Sequence, residues 1–342
     1  MTDQAAVVIL NWNGREFLAR FIPALIQYTP PDIRIVVIDN ASNDDSMAFL
    51  TRNYPGIVQI KNETNLGFAG GYNEGLKKVD ARYYILLNSD VEVTENWASP
   101  LISHLETHPD VAACQPTLRS HHEPEAFEYA GAAGGYIDAL GYPFCRGRIF
   151  QTLEYDNGQY HNTAEVFWAT GACMAISRKC FEEAGGFDAG FFAHMEEIDL
   201  CWRLKHMGYR IMAEPDSIVY HVGGGTLPKQ SWRKTYLNMR NNGLMLIKNL
   251  PAGQLIPVLA IRLFLDLAAA FKFLIDGGFR NFLAVFRAHA SIVRQFPAQL
   301  KKRKKIRPGK VSMVYRGSIV MDYFIARKKK FSSLPSKKFT GG

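Results

Sequence analysis

Cysteine is scarce and unpatterned in this chain. The 342 residues hold five (Cys114, Cys145, Cys173, Cys180, Cys201), an odd number with no C-x-x-C spacing. That excludes a disulfide framework or a zinc knuckle and predicts reduced thiols. A leader-like start is missing too: the apolar run Ala5–Leu10 is only six residues long, follows Asp3, and has no basic stretch before it. It reads as a first strand. Long uncharged apolar runs are also absent. Leu255–Ile275 is strongly apolar but carries Arg262, Asp266 and Lys272. At roughly 2.5–3.5 kcal/mol per charge near a bilayer centre, it is not expected to span one. Acids are nearly missing from residues 301–342, where Asp322 alone faces 14 Lys and Arg. The net charge of +8 therefore belongs to the tail, and the other 300 residues are mildly acidic.

What is present is alternation. Val7–Leu10, Ile33–Ile38, Ile57–Ile60 and Tyr83–Leu87 are short β-branched or apolar runs suited to strands buried on both faces. Glu16–Tyr28, Asp44–Asn53 and Ala69–Val79 between them have helical composition. This order predicts a parallel sheet with right-handed crossovers and ligands at the carboxyl ends of its strands. Polar residues stand at those ends: Asn11-Trp12-Asn13-Gly14, Asp39-Asn40-Ala41-Ser42 and Asn88-Ser89-Asp90. Residues 115–165 show weak periodicity and predict irregular loops with a hairpin, a place for acceptor recognition.

Each polar group has a chemical reading beside a structural one. Asp90, after an apolar strand, can ligate a hard divalent cation or cap a helix. Asp39 can accept from a nucleobase N–H or a ribose hydroxyl, or cap the helix near Asp44. The loop Asn65-Leu66-Gly67-Phe68 brings backbone N–H groups to a helix start, where phosphate could bind, although it matches neither G-x-G-x-x-G nor a P-loop. Glu196, Glu197 and Asp199 are the densest acid cluster. At helical spacing Glu196 and Asp199 share a face, and acids in a first turn also suit the helix dipole. Trp168 and Phe191-Phe192 precede them. His221 follows an apolar run and stands beside Gly223–Gly225, a candidate lid. Together these groups can hold a metal diphosphate and deprotonate an incoming hydroxyl.

Beyond Leu255 two helices are expected, the second running from Gly277-Gly278 to about Phe296. On it Arg280, Arg287 and Arg294 recur every seven residues and share one face. This predicts a helix lying in a membrane interface, the rival being a helical pair packed on the body. The runs Lys301–Lys305 and Arg327–Lys330 point to anionic lipid. Nucleic acid is not expected as a partner, since no reading module accompanies the charge.

The series V-V-I-L-N-W-N-G, V-V-I-D-N-A-S-N-D-D-S, N-x-x-N-L-G-F-A-G-G-Y-N, L-L-N-S-D and W-x-x-G…G-G-F-D…E-E-I-D-L resembles the family-2 glycosyltransferases of GT-A fold, in their bacterial rhamnosyltransferase-like branch. The resemblance covers about residues 5–245. It implies an α/β GT-A domain over 1–245, with a nucleotide-binding half (1–110) and an acceptor half (111–245); the amphipathic membrane-associating region (246–300) and basic tail (301–342) that follow are expected from their own composition. The resemblance implies inverting transfer from a nucleoside-diphosphate sugar to a glycan or lipid-linked acceptor, with Mg2+ or Mn2+, on the cytoplasmic face of a plasma membrane. Asp39 would contact the base, with Asn11, Asn65, Gly67 and Asn88 around the donor. Asn88 replaces the first acid of a D-x-D-like motif, and Asp90 is its metal-binding last residue. His221 would complete the metal shell. Glu196-Glu197 is the acid pair, with Glu197 the expected base, and Trp168 and Asp199 would shape the pockets. Two rival readings are a sugar-nucleotide-forming nucleotidyltransferase, against which this chain shows no basic glycine-rich loop near the first strand, and a non-catalytic membrane-docked subunit.

Overall fold

The computed structural model describes residues 3–223 and 231–341. Its first half is the expected alternation: β1 (Asp3–Asn11), α1 (Arg15–Tyr28), β2 (Ile33–Asp39), α2 (Ser46–Asn53), β3 (Val58–Lys61), α3 (Gly67–Leu76) and β4 (Ala81–Asn88). β1 lies between β2 and β4, and β3 lies beyond β2, all parallel. The cores of β1, β2 and β4 are buried because both faces are covered, whereas β3, at the sheet edge, buries Ile60 and leaves Val58 exposed, so the strand expected there is not buried on both faces. Leu18, Phe21, Ile22 and Leu25 of α1, at helical spacing, close one face. α3 closes the other unusually tightly. A Cβ on Gly75 would stand 2.2 Å from Ile38 Cδ1, and one on Gly71 would stand 2.9 Å from the Leu10 methyls. Gly71 and Gly75 of the F-A-G-G-Y-N-E-G run are thus explained by helix–sheet contact, and Gly70 by Leu66, whose Cβ a Cβ there would meet at 2.9 Å.

β5 (Val91–Val93), α4 (Ser99–Thr107) and β6 (Val111–Ser120) follow. Residues 135–153 form a small antiparallel array: β7 (Gly135–Asp138), β8 (Pro143–Cys145), β9 (Arg148–Ile149) and β10 (Thr152–Leu153). The loops and hairpin expected there are thus a second sheet. The chain then returns to the main sheet through β11 (Ala164–Val166) and β12 (Cys173–Ser177), and continues as α5 (Arg178–Glu183), α6 (Glu196–His206) and β13 (Arg210–His221). The main sheet runs β11-β13-β6-β12-β4-β1-β2-β3, with β5 on β13. β12 is antiparallel to both β4 and β6, so the sheet is mixed beyond the parallel first half. All five cysteines are free and buried.

Three long helices, α7 (Trp232–Asn249), α8 (Ala252–Ile275) and α9 (Phe279–Arg303), come next. α9 runs against α7, and a Cβ on Gly243 would meet Ile292 Cδ1 at 2.5 Å. α8 docks through Arg262, which donates to Leu140 O at 3.1 Å and lies 3.8 Å from the Tyr142 ring centroid. Arg262 also pairs with Asp266, which faces His289 of α9 at 3.3 Å. Two of the charges that argued against a spanning helix therefore point inward. No helix among the described residues is long and apolar enough to cross a membrane.

The basic tail is not a free appendage. β14 (Val314–Tyr315) pairs in parallel with β7, and α10 (Ile319–Phe324) follows it. Tyr315 is fully buried, and Phe331 and Phe339 pack on Tyr136 at 4.9 and 5.2 Å. The aromatics interspersed among the basic residues outweigh the charge. Burying such rings gains about 25 cal/mol per Å², and Lys302 and Lys328 pair with Asp188 and Asp322.

Candidate active site

The strand register aligns the polar ends. Asn11 stands opposite Asp39, and Leu10 opposite Asn88. Asn11 is buried and donates to Ser42 Oγ at 3.2 Å, and Ser42 N donates to Asp39 Oδ1 at 3.1 Å. The remaining amide oxygen, Asn11 Oδ1, is buried without a partner. A Cβ on Gly14 would sit 2.4 Å from it, so the glycine of N-W-N-G leaves room for that amide. Asn40 staples the next turns. Its Nδ2 donates to Asn65 Oδ1 at 3.0 Å and to Gly67 O at 3.1 Å, and its Oδ1 accepts from Asn62 Nδ2 at 3.2 Å.

The phosphate cradle expected at 65–68 is closed. Leu66 N donates to Asn40 Oδ1, Gly67 N to Asn65 Oδ1, and the N–H groups of Phe68 and Ala69 to Phe192 O. Donors spent on the protein cannot serve an anion. Gly67, at φ +71°, lets this turn press against Phe192, whose ring carbon a Cβ there would meet at 2.5 Å. The loop therefore supports the segment that precedes the acid pair.

Beyond β4, β5 pairs with β13 so that Val91 stands opposite His221. His221 Nε2 lies 3.1 Å from Asp90 Oδ1, and Nδ1 lies 3.3 Å from Glu128 Oε2. Glu128 had no motif to announce it. Although burial opposes the charge, the Glu128 and Asp90 carboxylates push the imidazole up to about 10. Among the described residues no three His, Cys, Asp or Glu side chains converge as a ready metal cage. The Asp90–His221 separation nonetheless fits two adjacent corners of an octahedral shell, whose edge is about 3 Å for bonds of about 2.1 Å. These residues suit a cation that takes its other ligands from a diphosphate and water. Asn88 donates its backbone N–H to Ala172 O at 2.9 Å, and its neutral amide adds no charge to the site.

That same hydrogen bond brings the acid pair near. Gly171, of W-x-x-G, precedes Ala172, and a Cβ on it would lie 3.9 Å from Glu197 Cβ. The turn entering α6 is strained: Phe192, His194 and Met195 have φ of 66°, 71° and 73°. Non-glycine residues at such angles cost about 1 kcal/mol or more each. Asn241 of α7 holds the turn by donating to Phe191 O, Ala193 O and His194 O at 2.8–3.0 Å. Arg240 donates to Gly190 O and Phe191 O. Each glutamate keeps one buried carboxyl oxygen, Oε2, without a partner. Burial, then the Glu197 charge, raises Glu196 well above the carboxylate range; burial lifts Glu197 to about 7.

Two other expected site residues serve the framework. Asp199 is fully buried and accepts from Arg203 Nε (2.9 Å), Lys248 Nζ (2.8 Å) and Asn249 Nδ2 (2.8 Å). Trp168 is buried, and its Nε1 donates to Tyr136 O at 2.9 Å. His221 is described, whereas Gly224 and Gly225 of the candidate lid lie outside the described residues.

A parallel first half with amides and carboxylates at its strand ends, and an acid pair beside the turn that bonds to one of them, match the GT-A glycosyltransferases. Two solved structures share this fold. GalNAc-T7 with UDP, GalNAc and Mn2+ superposes at a TM-score of 0.58 and 20% identity, over 72% of this chain and 48% of that one. The mannosyltransferase PcManGT from Pyrobaculum calidifontis, with GDP-Man and Mn2+, gives 0.51 and 13%, over 90% and 85%. The family model described as glycosyl transferase family 2 matches residues 6–185, and the chain belongs to that family. Its relatives include an N-acetylglucosaminyl-diphospho-decaprenol L-rhamnosyltransferase of Mycobacterium tuberculosis, 26% identical over 65% of this chain and 76% of the relative. This places the chain beside the rhamnosyltransferase-like branch that its motifs resemble.

Proposed function

We propose that this glycosyltransferase moves a sugar, from dTDP-rhamnose or a UDP-sugar, to a hydroxyl of a lipid-linked or cell-envelope glycan by inverting single displacement. The acceptor class is supported by the lipid-linked substrate in the mycobacterial relative's name, and the proposal puts the reaction at the cytoplasmic face of a membrane. The observation that carries the reading is Glu197, a half-buried carboxyl raised to about 7 with one oxygen unpaired, beside the turn that leads to Asn88 and Asp90. A group with that affinity for protons suits general-base work near neutrality.

Glu197 takes the proton of the acceptor hydroxyl. That oxygen bonds to the anomeric carbon from the face opposite the diphosphate, the bond to the leaving oxygen breaks, and configuration inverts without an enzyme-bound sugar. Asn11 and Asp39 hold the nucleoside at the strand ends. Asp90 and His221 would hold Mg2+ or Mn2+, which when bound neutralises charge on the leaving diphosphate. Glu196, more deeply buried, stays protonated and leaves its neighbour as the titrating member.

The test is donor hydrolysis by the purified protein across UDP-, GDP- and dTDP-sugars with Mn2+ or Mg2+, followed by transfer to lipid-linked acceptors. Metal-dependent release of one nucleoside diphosphate, abolished by EDTA and by Asp90→Ala, supports the reading. Absence of turnover with every donor and acceptor, despite nucleotide binding, would overturn it in favour of a binding subunit.

A further inference from the structure

The outer face of the α8–α9 hairpin is the strongest unexplained feature of the molecule. α8 has two apolar stripes. Leu255, Val258 and Ala270, with the inward pair Arg262 and Asp266, face the body. The opposite stripe is open to solvent: Ile256 (66% exposed), Phe264 (74%), Phe271 (57%) and Ile275 (84%). With Arg262 and Asp266 turned inward, the outward side of this helix carries no charge before Lys272. The patch continues across the turn, because Phe271 lies 6.1 Å from Phe282, which lies 6.2 Å from Phe279 and 4.9 Å from Phe286. On α9 the exposed residues Phe279, Phe286 and Val293 recur every seven residues, each followed directly by an exposed arginine, Arg280, Arg287 or Arg294. α9 contains no acid.

We infer that this face is a docking surface for a lipid bilayer bearing anionic headgroups, in which α8 and α9 lie flat. From Ile256 to Ile275 the α8 stripe runs about 28 Å at 1.5 Å per residue, and no described helix can span a membrane. A continuous apolar stripe flanked by arginines matches acyl chains beside anionic headgroups. A second copy of the chain fits poorly. A two-fold interface would set the arginine stripe against itself, with no acid on α9 to meet it. The inference concerns how the protein reaches its site of action and stands apart from the transfer chemistry, so vesicle binding is measured without donor or acceptor.

The experiment uses the full chain, because β14 belongs to the second sheet and truncation would open it. Sedimentation with phosphatidylcholine vesicles, with and without phosphatidylglycerol, is compared for the unmodified protein, Phe264→Ser/Phe271→Ser and Arg280→Gln/Arg287→Gln/Arg294→Gln. Expected is binding to the anionic vesicles that weakens with salt. The arginine triple should weaken it on the order of a hundredfold, and the serine pair by more than tenfold, with circular dichroism melts unchanged. If a variant melts early, Phe264→Ser alone and Arg287→Gln alone provide milder substitutions read the same way. No binding to either vesicle, equal binding to neutral ones, or a dimer in light scattering that the serine pair dissolves would each overturn the inference.

Discussion

Lys302, in the last turn of α9, sets its Nζ 2.6 and 2.8 Å from the two carboxylate oxygens of Asp188. Asp188 is the aspartate of the G-G-F-D motif, and it also accepts from Lys248, which bridges to Asp199 on the acid-pair helix. A motif residue of the transferase domain thus fastens the C-terminal helices to the base of α6.

Asp188→Asn should destabilise the protein by about 3 kcal/mol or more, because it leaves buried Lys248 short of a counter-charge. Although burial opposes it, Lys248 and Lys302 hold the Asp188 carboxyl well below the usual range. A depressed carboxylate contributes stability that is full above its unfolded pKa of about 3.9 and is lost as pH falls through the folded value. Melting temperature against pH should therefore drop steeply below pH 4 in the unmodified protein and less steeply in Asp188→Asn.

Glu197→Gln should lower kcat roughly 100- to 10,000-fold while leaving donor affinity within a few-fold. Only the ionised carboxylate accepts the proton, so kcat/KM of the unmodified enzyme should rise with pH through about 7. An unchanged rate in Glu197→Gln would remove it as the base.

Mn2+ binding should release a proton. His221 is held charged up to about pH 10 by Glu128 and Asp90, and an imidazolium cannot ligate a metal. Affinity should tighten by up to about tenfold per pH unit between pH 6 and 9. Titration calorimetry in buffers of different ionisation enthalpy reads the proton directly. Glu128→Gln should reduce both the release and the pH slope.

Asn241→Ala should loosen the left-handed turn before Glu196. Losing its bonds to three carbonyls should cost about 1–3 kcal/mol. kcat should fall more than KM rises, since the acid pair moves while the nucleoside end is untouched. A proportionate loss of folded protein with unchanged kcat would assign Asn241 a structural role only.

The nucleotide half was legible because strands buried on both faces write themselves as β-branched runs, and the glycines of α3 mark close approach. Asn11, Asp39 and Asp90 were legible as polar groups closing such strands. Glu128, Asn40 and Asn241 were not, since each acts across long sequence separations on backbone or imidazole atoms that no local spacing encodes. The loop at Asn65–Gly67 misled for a related reason: a glycine turn shows that N–H groups are available but not which acceptor takes them. In the tail, charge hid the pattern. Tyr315, Phe331 and Phe339 were the signal that residues 301–341 fold, and Arg and Lys outnumbered them.

The pairing of Val314 with Ile137 also sets an order of assembly. At about 5–20 residues per second, β14 is synthesised on the order of ten to forty seconds after β7. Through that interval Tyr136 and Phe144, which the tail covers, stand open on the nascent chain. The small second sheet is therefore completed only after β14 has been made, and its aromatic face stays uncovered while translation continues.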